Sequence, residues 1–227
     1  MALYAIADTH LSFGTNKPMD SFPGWKDYVK RIEINWNNLV TENDTVVIAG
    51  DISWAINFEE LRADFDFLNN LNGTKIISKG NHDYWWTTLT KMNAFLKEND
   101  FNTIKFLFNN SYEVDGVSVC GSRGWFFDSE EAHDEKILLR EVNRIKTSID
   151  SATSDEKIVF LHYPPVTTQT NCQEIVTLLI EKGIKKCYYG HLHGGAAKYA
   201  LNENINGIDF ELISADNLKF TPKLIKR

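Results

Sequence analysis

The chain has 227 residues, enough for one large domain or two small ones, with 43% hydrophobic and 24% charged residues. That balance excludes a disordered chain and permits a sizeable core. A formal charge of −7 leaves no basic field for coating nucleic acid, although it does not exclude a local positive site built by metal ions.

The first element in chain order is a strand, Leu3 to Ala7, followed by a Gly, Pro, Asn and Ser-rich loop from Ser12 to Gly24. A helix then carries Val29, Ile32, Trp36 and Leu39 on one face at helical spacing. Thr45 to Ala49 is a β-branched strand that ends at Gly50-Asp51, and the next helix presents Leu61, Phe65 and Leu68 before stopping near Asn72-Gly73. Lys75 to Ser78 is a third strand, with a helix around Leu89 to Leu96 behind it. This β-α-β-α-β-α rhythm is that of a parallel sheet with crossover helices.

The rhythm then changes. Thr103 to Phe108 reads as a strand, and Asp115-Gly116 between Tyr112-Glu-Val and Val117-Ser-Val is a two-residue hairpin signal. A long polar helix from about Ser129 to Ile149 precedes the strand Lys157 to Leu161, and a helix at Gln173 to Lys182 leads to Lys186 to Tyr189. Ala197 to Leu201 and Ile208 to Ile213 read as an antiparallel pair around an Asn/Gly-rich turn. We read one α/β domain over 1–227. Two facing mixed sheets with helices outside accommodate both crossovers and hairpins, but the periodicity leaves the stacking open.

Cys120, Cys172 and Cys187 have no CxxC spacing, which argues against a disulfide framework or zinc knuckle. Cys120 and Cys187 lie in apolar runs and fit small core residues in a reducing compartment. There is no basic, cleavable leader before the first strand and no run of roughly 20 apolar residues. A cytoplasmic protein without membrane contact is expected.

Five of the six histidines stand at or near the C-terminal end of an apolar run: Asp8-Thr-His10, Gly80-Asn81-His82-Asp83, His162 and Gly190-His191-Leu-His193, with Gly50-Asp51 at a further strand end. In open α/β sheets, ligands bind beyond these strand ends, so distant positions can converge there. In extended chain, residues two apart share a side, so Asp8 and His10 can share a metal and His191 and His193 can face one cavity. The glycines before Asp51, Asn81 and His191 allow unusual backbone angles and close approach. Two divalent ions would exceed the charge of Asp8 and Asp51, leaving a positive centre suited to phosphate. Imidazole and carboxylate without thiolate favour manganese, iron, zinc or cobalt, with manganese foremost. Any one cluster is equally readable as an ordinary turn or strand-end histidine. Their joint occurrence at successive strand ends carries the metal reading.

The series Asp-x-His, Gly-Asp, Gly-Asn-His-Asp, His, Gly-His-x-His resembles the signature of the calcineurin-like metallophosphoesterase superfamily, and it runs from residue 8 to residue 193. The resemblance implies a four-layer α/β sandwich of two mixed sheets flanked by helices. It implies that Asp8, His10, Asp51 and His193 hold one divalent ion and Asp51, Asn81, His162 and His191 the other, with Asp51 bridging. His82 corresponds to a family histidine that faces the leaving-group oxygen, and Asp83 would orient its ring. The expected reaction is hydrolysis of a phosphate mono- or diester by attack of a hydroxide bridging two metals about 3.5–4 Å apart. The Gly-Asp-x-x-Asp-Arg-Gly motif of the protein phosphatases is replaced here by Gly-Asp-Ile-Ser-Trp-Ala-Ile, so a small prokaryotic-type phosphohydrolase acting on a small phosphate ester is favoured. A nuclease is the alternative, weakened by the absence of a basic tract. A non-catalytic scaffold would be expected to lose ligands, and none is lost.

Around the ligands, Trp85 and Trp86 read as packing, while Trp54 is open between packing and stacking on substrate. Arg123, in Gly121-Ser-Arg-Gly-Trp125, has the planar fork for phosphate but equally the chemistry of a surface salt bridge. The loop from Ser12 to Gly24 either caps the cleft or merely connects. His133 reads as a surface residue and Asp216 as a turn.

Overall fold

A computed structural model describes residues 1–125 and 135–227. Strands β1 (Leu3–Ile6), β2 (Thr45–Ala49), β3 (Thr74–Ser78) and β4 (Ile104–Phe106) run parallel in one sheet. Their crossovers contain the helices α1 (Tyr28–Leu39), α2 (Phe58–Asn70) and α3 (Leu89–Glu98). The second sheet has the order β5 (Tyr112–Val114), β6 (Val117–Ser122), β7 (Glu156–Leu161), β8 (Lys186–Tyr189), β10 (Ile208–Leu212), β9 (Asn204–Ile205). Helices α4 (Glu135–Asp150) and α5 (Gln173–Glu181) cross over between β6, β7 and β8. β11 (Lys223–Lys226) returns to the first sheet, antiparallel to β1.

The period-two alternation of the strands sorts their side chains into three apolar layers. Tyr4 and Ile6 of β1, Val46 and Ile48 of β2 and Ile77 of β3 pack under α1, α2 and α3 with Ile32, Trp36, Phe65 and Phe95. Leu3, Ala5, Val47 and Ile76 point the other way, against Val119, Ile158, Phe160 and Tyr188 of the second sheet. Val159, Leu161, Cys187 and Tyr189 face α4 and α5 through Leu138, Ile145, Ile175 and Leu179. Three interfaces make four layers, helix, sheet, sheet, helix, so the expected α/β sandwich is observed. Among the described residues, no helix is long and apolar enough to cross a membrane.

Several elements differ from expectation. On α1 the buried stripe is Tyr28, Ile32 and Trp36; Leu39 is 44% exposed and Val40, just past the helix, takes the core place. The strand expected at Ala197 to Leu201 is a 3₁₀ turn over Gly194–Tyr199, and the hairpin partner of β10 is the two-residue β9. β11 has no counterpart among the expected elements. Of the helix read from Ser129, the part after residue 134 is α4; the rest, with His133, lies outside the described residues.

Candidate metal centre

The chain beyond β1 and β2 continues as two paired segments. Asp8 N–H donates to Gly50 O (3.0 Å), His10 N–H to Asp51 O (3.0 Å), Leu11 N–H to Ile52 O (2.9 Å) and Trp54 N–H back to Leu11 O (2.9 Å). Within this ladder Asp8 (φ 57°), His10 (φ 44°) and Asp51 (φ 51°) are left-handed, as is His191 (φ 70°) after β8. Such conformations are costly for residues with a Cβ, and they concentrate where a site over-determines the backbone. Asp8 and His10 therefore meet through a kinked chain, not through the extended one that their spacing suggested.

All seven expected ligands converge at the strand ends. Asp8, His10 and His193 offer ligand atoms within 4.8 Å of one another, as do Asp8, Asp51 and His162. Asp51 also faces the Nε2 atoms of His10 (3.7 Å) and His162 (3.5 Å), so both carboxylates stand between the imidazoles. Asn81 Oδ1 lies 2.7 Å from His162 Nε2 and 3.0 Å from His191 Nδ1. His191 and His193 thus part company: His193 joins Asp8 and His10, and His191 joins Asn81 and His162. The arrangement needs Gly80, where a Cβ would run into the Asp51 carboxylate and amide.

The residues fit divalent cations on the chemistry of their donors. Both ring nitrogens of His10 are buried without a hydrogen-bond partner, a costly state unless a cation takes a lone pair. His162 Nδ1 lies 3.1 Å from the Ala49 carbonyl, which can only accept. With the proton on Nδ1 for that carbonyl, Nε2, 2.7 Å from Asn81 Oδ1, is the nitrogen that would bind a metal beside Asn81. Burial pushes the imidazoles of His10 and His191 down to about 3, so neither carries a proton that a metal must displace. Burial, with Asp51 nearby, raises the Asp8 carboxyl well above its ordinary range. Burial opposes ionisation of Asp51 too, but His162, His10 and the His82 amide outweigh it and lower its pKa.

His82 is half-buried at the edge of this cluster, its amide donating to Asp51 Oδ1 (2.8 Å). Burial lowers its pKa, aided by His193, Lys17 and Arg123 and opposed by Asp51. The role expected for Asp83 is corrected. Its Oδ1 accepts from the amides of Ile52 (2.9 Å) and Ser53 (3.3 Å) and from the Trp85 indole (3.2 Å), and its Oδ2 from Gly80 N–H (2.7 Å). The carboxylate is consumed by backbone, and the group beside His82 Nδ1 is instead the Tyr84 hydroxyl at 3.4 Å.

Two further buried carboxylates act alike. Asp64 of α2 accepts from Phe13 N–H (2.7 Å) and from the Ser53 hydroxyl, pinning the start of the 12–24 loop to the segment after Asp51. Glu141 of α4 accepts from Ser122 Oγ (2.5 Å) and Gly124 N–H (2.8 Å), clamping both sides of Arg123. The sequence reading missed Asp64, Glu141 and Lys17, and also Trp25 and Tyr28 as parts of the wall. Trp25 is buried with its ring 5.8 Å from His193, and the Tyr28 hydroxyl donates to His10 O (2.8 Å). Asp64 had one available signal, a carboxylate on the apolar stripe of an amphipathic helix next to Phe65.

Trp54 stacks on His10 (centroids 5.0 Å, 24°) and lies 4.4 Å from His82, so at least part of its surface is spent on the centre itself. Trp85 and Trp86 are buried under the first sheet, as packing predicted. Asp216 accepts from Gly194 N–H (2.6 Å), fixing the turn that follows His193.

Residues 1–195 match the calcineurin-like phosphoesterase family. An uncharacterized protein of Methanocaldococcus jannaschii is 24% identical over 186 residues, 80% of this chain and 92% of its own length. Three solved structures share the fold. A protein of unknown function from Aquifex aeolicus has a TM-score of 0.54 at 18% identity, over 98% of this chain and 95% of its own. A phosphopantetheinyl hydrolase from Mycobacterium tuberculosis has 0.57 at 14%, over 99% and 95%, and a protein from Thermus thermophilus has 0.58 at 12%, over 99% and 97%. With the family match spanning most of its length and every ligand position of the motif series gathered at one edge, the chain belongs to the calcineurin-like phosphoesterase family of metal-dependent phosphoester hydrolases.

Proposed function

We propose that the protein hydrolyses a small phosphate mono- or diester at a centre of two divalent ions, manganese foremost. The single observation that carries this reading is the pair of overlapping donor groups, Asp8, His10, His193 and Asp8, Asp51, His162, with Asn81 and His191 adjoining the second. One ion would be held by Asp8, His10, Asp51 and His193, the other by Asp51, Asn81, His162 and His191. The ions, when bound, supply Lewis acidity toward the phosphoryl oxygens and an activated water.

The chain's own residues then hold the ester and handle the leaving group. His82 stands outside the ligand set, and its protonated imidazole would donate to the departing oxygen. Trp54 fixes the plane of that ring by packing against it and against His10. Arg123 lies on the His191 side and presents a cation to the bound ester. The formal charge of −7 disfavours a polynucleotide partner.

The test is a hydrolysis panel with manganese-loaded protein: aryl phosphate monoester, aryl diester, cyclic nucleotide and oligonucleotide. Hydrolysis of one of the small esters is expected, and His82→Ala should retain metal while losing about 10²–10⁴-fold in rate on poor leaving groups. Failure to cleave any member in any reconstituted metal form would overturn the catalytic reading. Turnover confined to the oligonucleotide would replace it with a nuclease.

A further inference from the structure

Three aromatic residues follow Asp83, and they divide. Trp85 and Trp86 are buried under the first sheet, whereas Tyr84 is 57% exposed, so core packing does not account for its position. The turn around it does. Asp83 is held by the amides of Gly80, Ile52 and Ser53, and Tyr84 N–H donates to His82 O (2.9 Å), closing a three-residue turn. That turn lays the side chains of His82 and Tyr84 against each other. Their rings meet edge to face at 6.1 Å and 76°, with the Tyr84 hydroxyl 3.4 Å from His82 Nδ1.

The rest of His82 is held by the centre. Its amide donates to Asp51 Oδ1 (2.8 Å), and its ring is flanked by Trp54 at 4.4 Å and His10 at 5.7 Å. Flanking rings fix a plane, but they do not say which edge of an imidazole points at the substrate. A hydrogen bond at Nδ1 does, because turning the ring over would put a C–H against the hydroxyl. The neighbouring carboxylate of Asp83, spent on backbone, cannot supply it. A phenol supplies it without adding a negative charge where an anionic ester must dock.

We propose that Tyr84 is a positioning residue, whose hydroxyl engages His82 Nδ1 and so aims Nε2 at the departing oxygen. The inference rests on the phosphohydrolase reading, with His82 facing the leaving group. As the bond from phosphorus to the leaving oxygen breaks and a water oxygen takes its place, the Nε2 proton passes to the leaving oxygen. The neutral imidazole left behind keeps its Nδ1 proton, directed at the Tyr84 oxygen. Such help matters most where the leaving oxygen is basic.

The experiment uses Tyr84→Phe, which keeps the ring and removes the hydroxyl, and Tyr84→Ala, which removes both. Manganese-loaded protein is given two esters of the class it cleaves, one of 4-nitrophenol and one of a simple alcohol. Tyr84→Phe should lower kcat on the alkyl ester about three- to tenfold with KM unchanged, and by less than about twofold on the nitrophenyl ester. In a His82→Ala background the same substitution should cost nothing further, since the group it positions is gone. A second readout needs no turnover: carbon-13 relaxation of the His82 ring in zinc-loaded protein should show added mobility in Tyr84→Phe. Equal losses on both esters, a loss that persists in His82→Ala, or a ring equally ordered with and without the hydroxyl would overturn the role. A KM that rises in Tyr84→Ala while Tyr84→Phe keeps the parent kcat would replace it with stacking on the leaving group. If both esters are hydrolysed and Tyr84→Phe matches the parent, only the positioning fails. If no ester is cleaved but the ring loosens, the contact stands and the catalytic reading fails.

Discussion

Asp51 and Asp83 are both buried beside the same backbone, yet they face opposite ways. Asp51 turns its oxygens to the imidazoles of His10 and His162, while Asp83 turns both of its oxygens to amides of Gly80, Ile52 and Ser53. Removing the second carboxylate therefore strands three buried donors and the Trp85 indole, each costing about 1–3 kcal/mol if left unpaired. Asp83→Ala should lose at least about 3 kcal/mol of unfolding free energy in urea, whereas Tyr84→Phe, which removes the hydroxyl beside His82 Nδ1, should stay within about 0.5 kcal/mol. A stable Asp83→Ala protein with only a catalytic defect would return Asp83 to the orienting role. The seven residues of the motif series meet at the strand ends, because ligand chemistry restricts residue type and strand ends restrict position. It could not reveal what Asp83 holds, because a carboxylate one residue after a histidine can reach either ring or backbone. The left-handed turns at Asp8, His10 and Asp51 decide which donors are near, and nothing in the local sequence announces them.

Helices α2 and α4 do more than cover the sheets. Each spends one residue of its buried face on a carboxylate that holds a loop of the site, Asp64 for the 12–24 loop and Glu141 for the Arg123 loop. Burial pushes Asp64 from 3.8 up to about 6, against the opposing effect of Ser53 and the amides of Phe13 and Gly14. A folded-state pKa above the unfolded one favours folding only while the group is protonated. Its contribution is complete below 3.8 and is lost as pH rises through about 6. Asp64→Asn, always neutral, escapes that loss, so its stability relative to the parent should improve by about 3 kcal/mol between about pH 4 and about pH 7. Urea midpoints across that window check it; a difference that does not change with pH would show that Asp64 keeps an ordinary pKa. The elements themselves were legible where hydrophobic periodicity was strong, as on α2 and in β2 and β3. Legibility failed at the end of the chain. Gly194 to Tyr199 forms a 3₁₀ turn because it must carry the chain on from His193 under the Asp216 cap, and β11 owes its strand form to the open edge of β1, a partner more than two hundred residues away.

At the scale of the whole molecule, the centre straddles the joint between the two sheets. Asp8, His10, Asp51 and Asn81 follow strands of the first sheet, and His162, His191 and His193 follow strands of the second. Behind them the sheets meet through small side chains, Ala5, Ala7 and Ala49, which let the strand ends approach closely. A cation bound by Asp8, His10 and His193, or by Asp8, Asp51 and His162, is thus a cross-link between sheets and stabilises the folded chain by mass action. At a concentration about one hundred times its dissociation constant, manganese would contribute about 2.7 kcal/mol. For a chain of this size that corresponds to a rise in Tm of roughly 5–10 °C over the chelator-treated protein. Burial raises the Asp8 carboxyl, so binding must expel its proton, and the rise should shrink as pH is lowered toward about 5. Asp51→Asn, which removes a charge that faces imidazoles from both sheets, should abolish most of the shift. Thermal scans of the two proteins with manganese and with chelator decide the matter. An equal rise in both would mean that the metal binds elsewhere, and no rise in the parent would remove the metal from the joint.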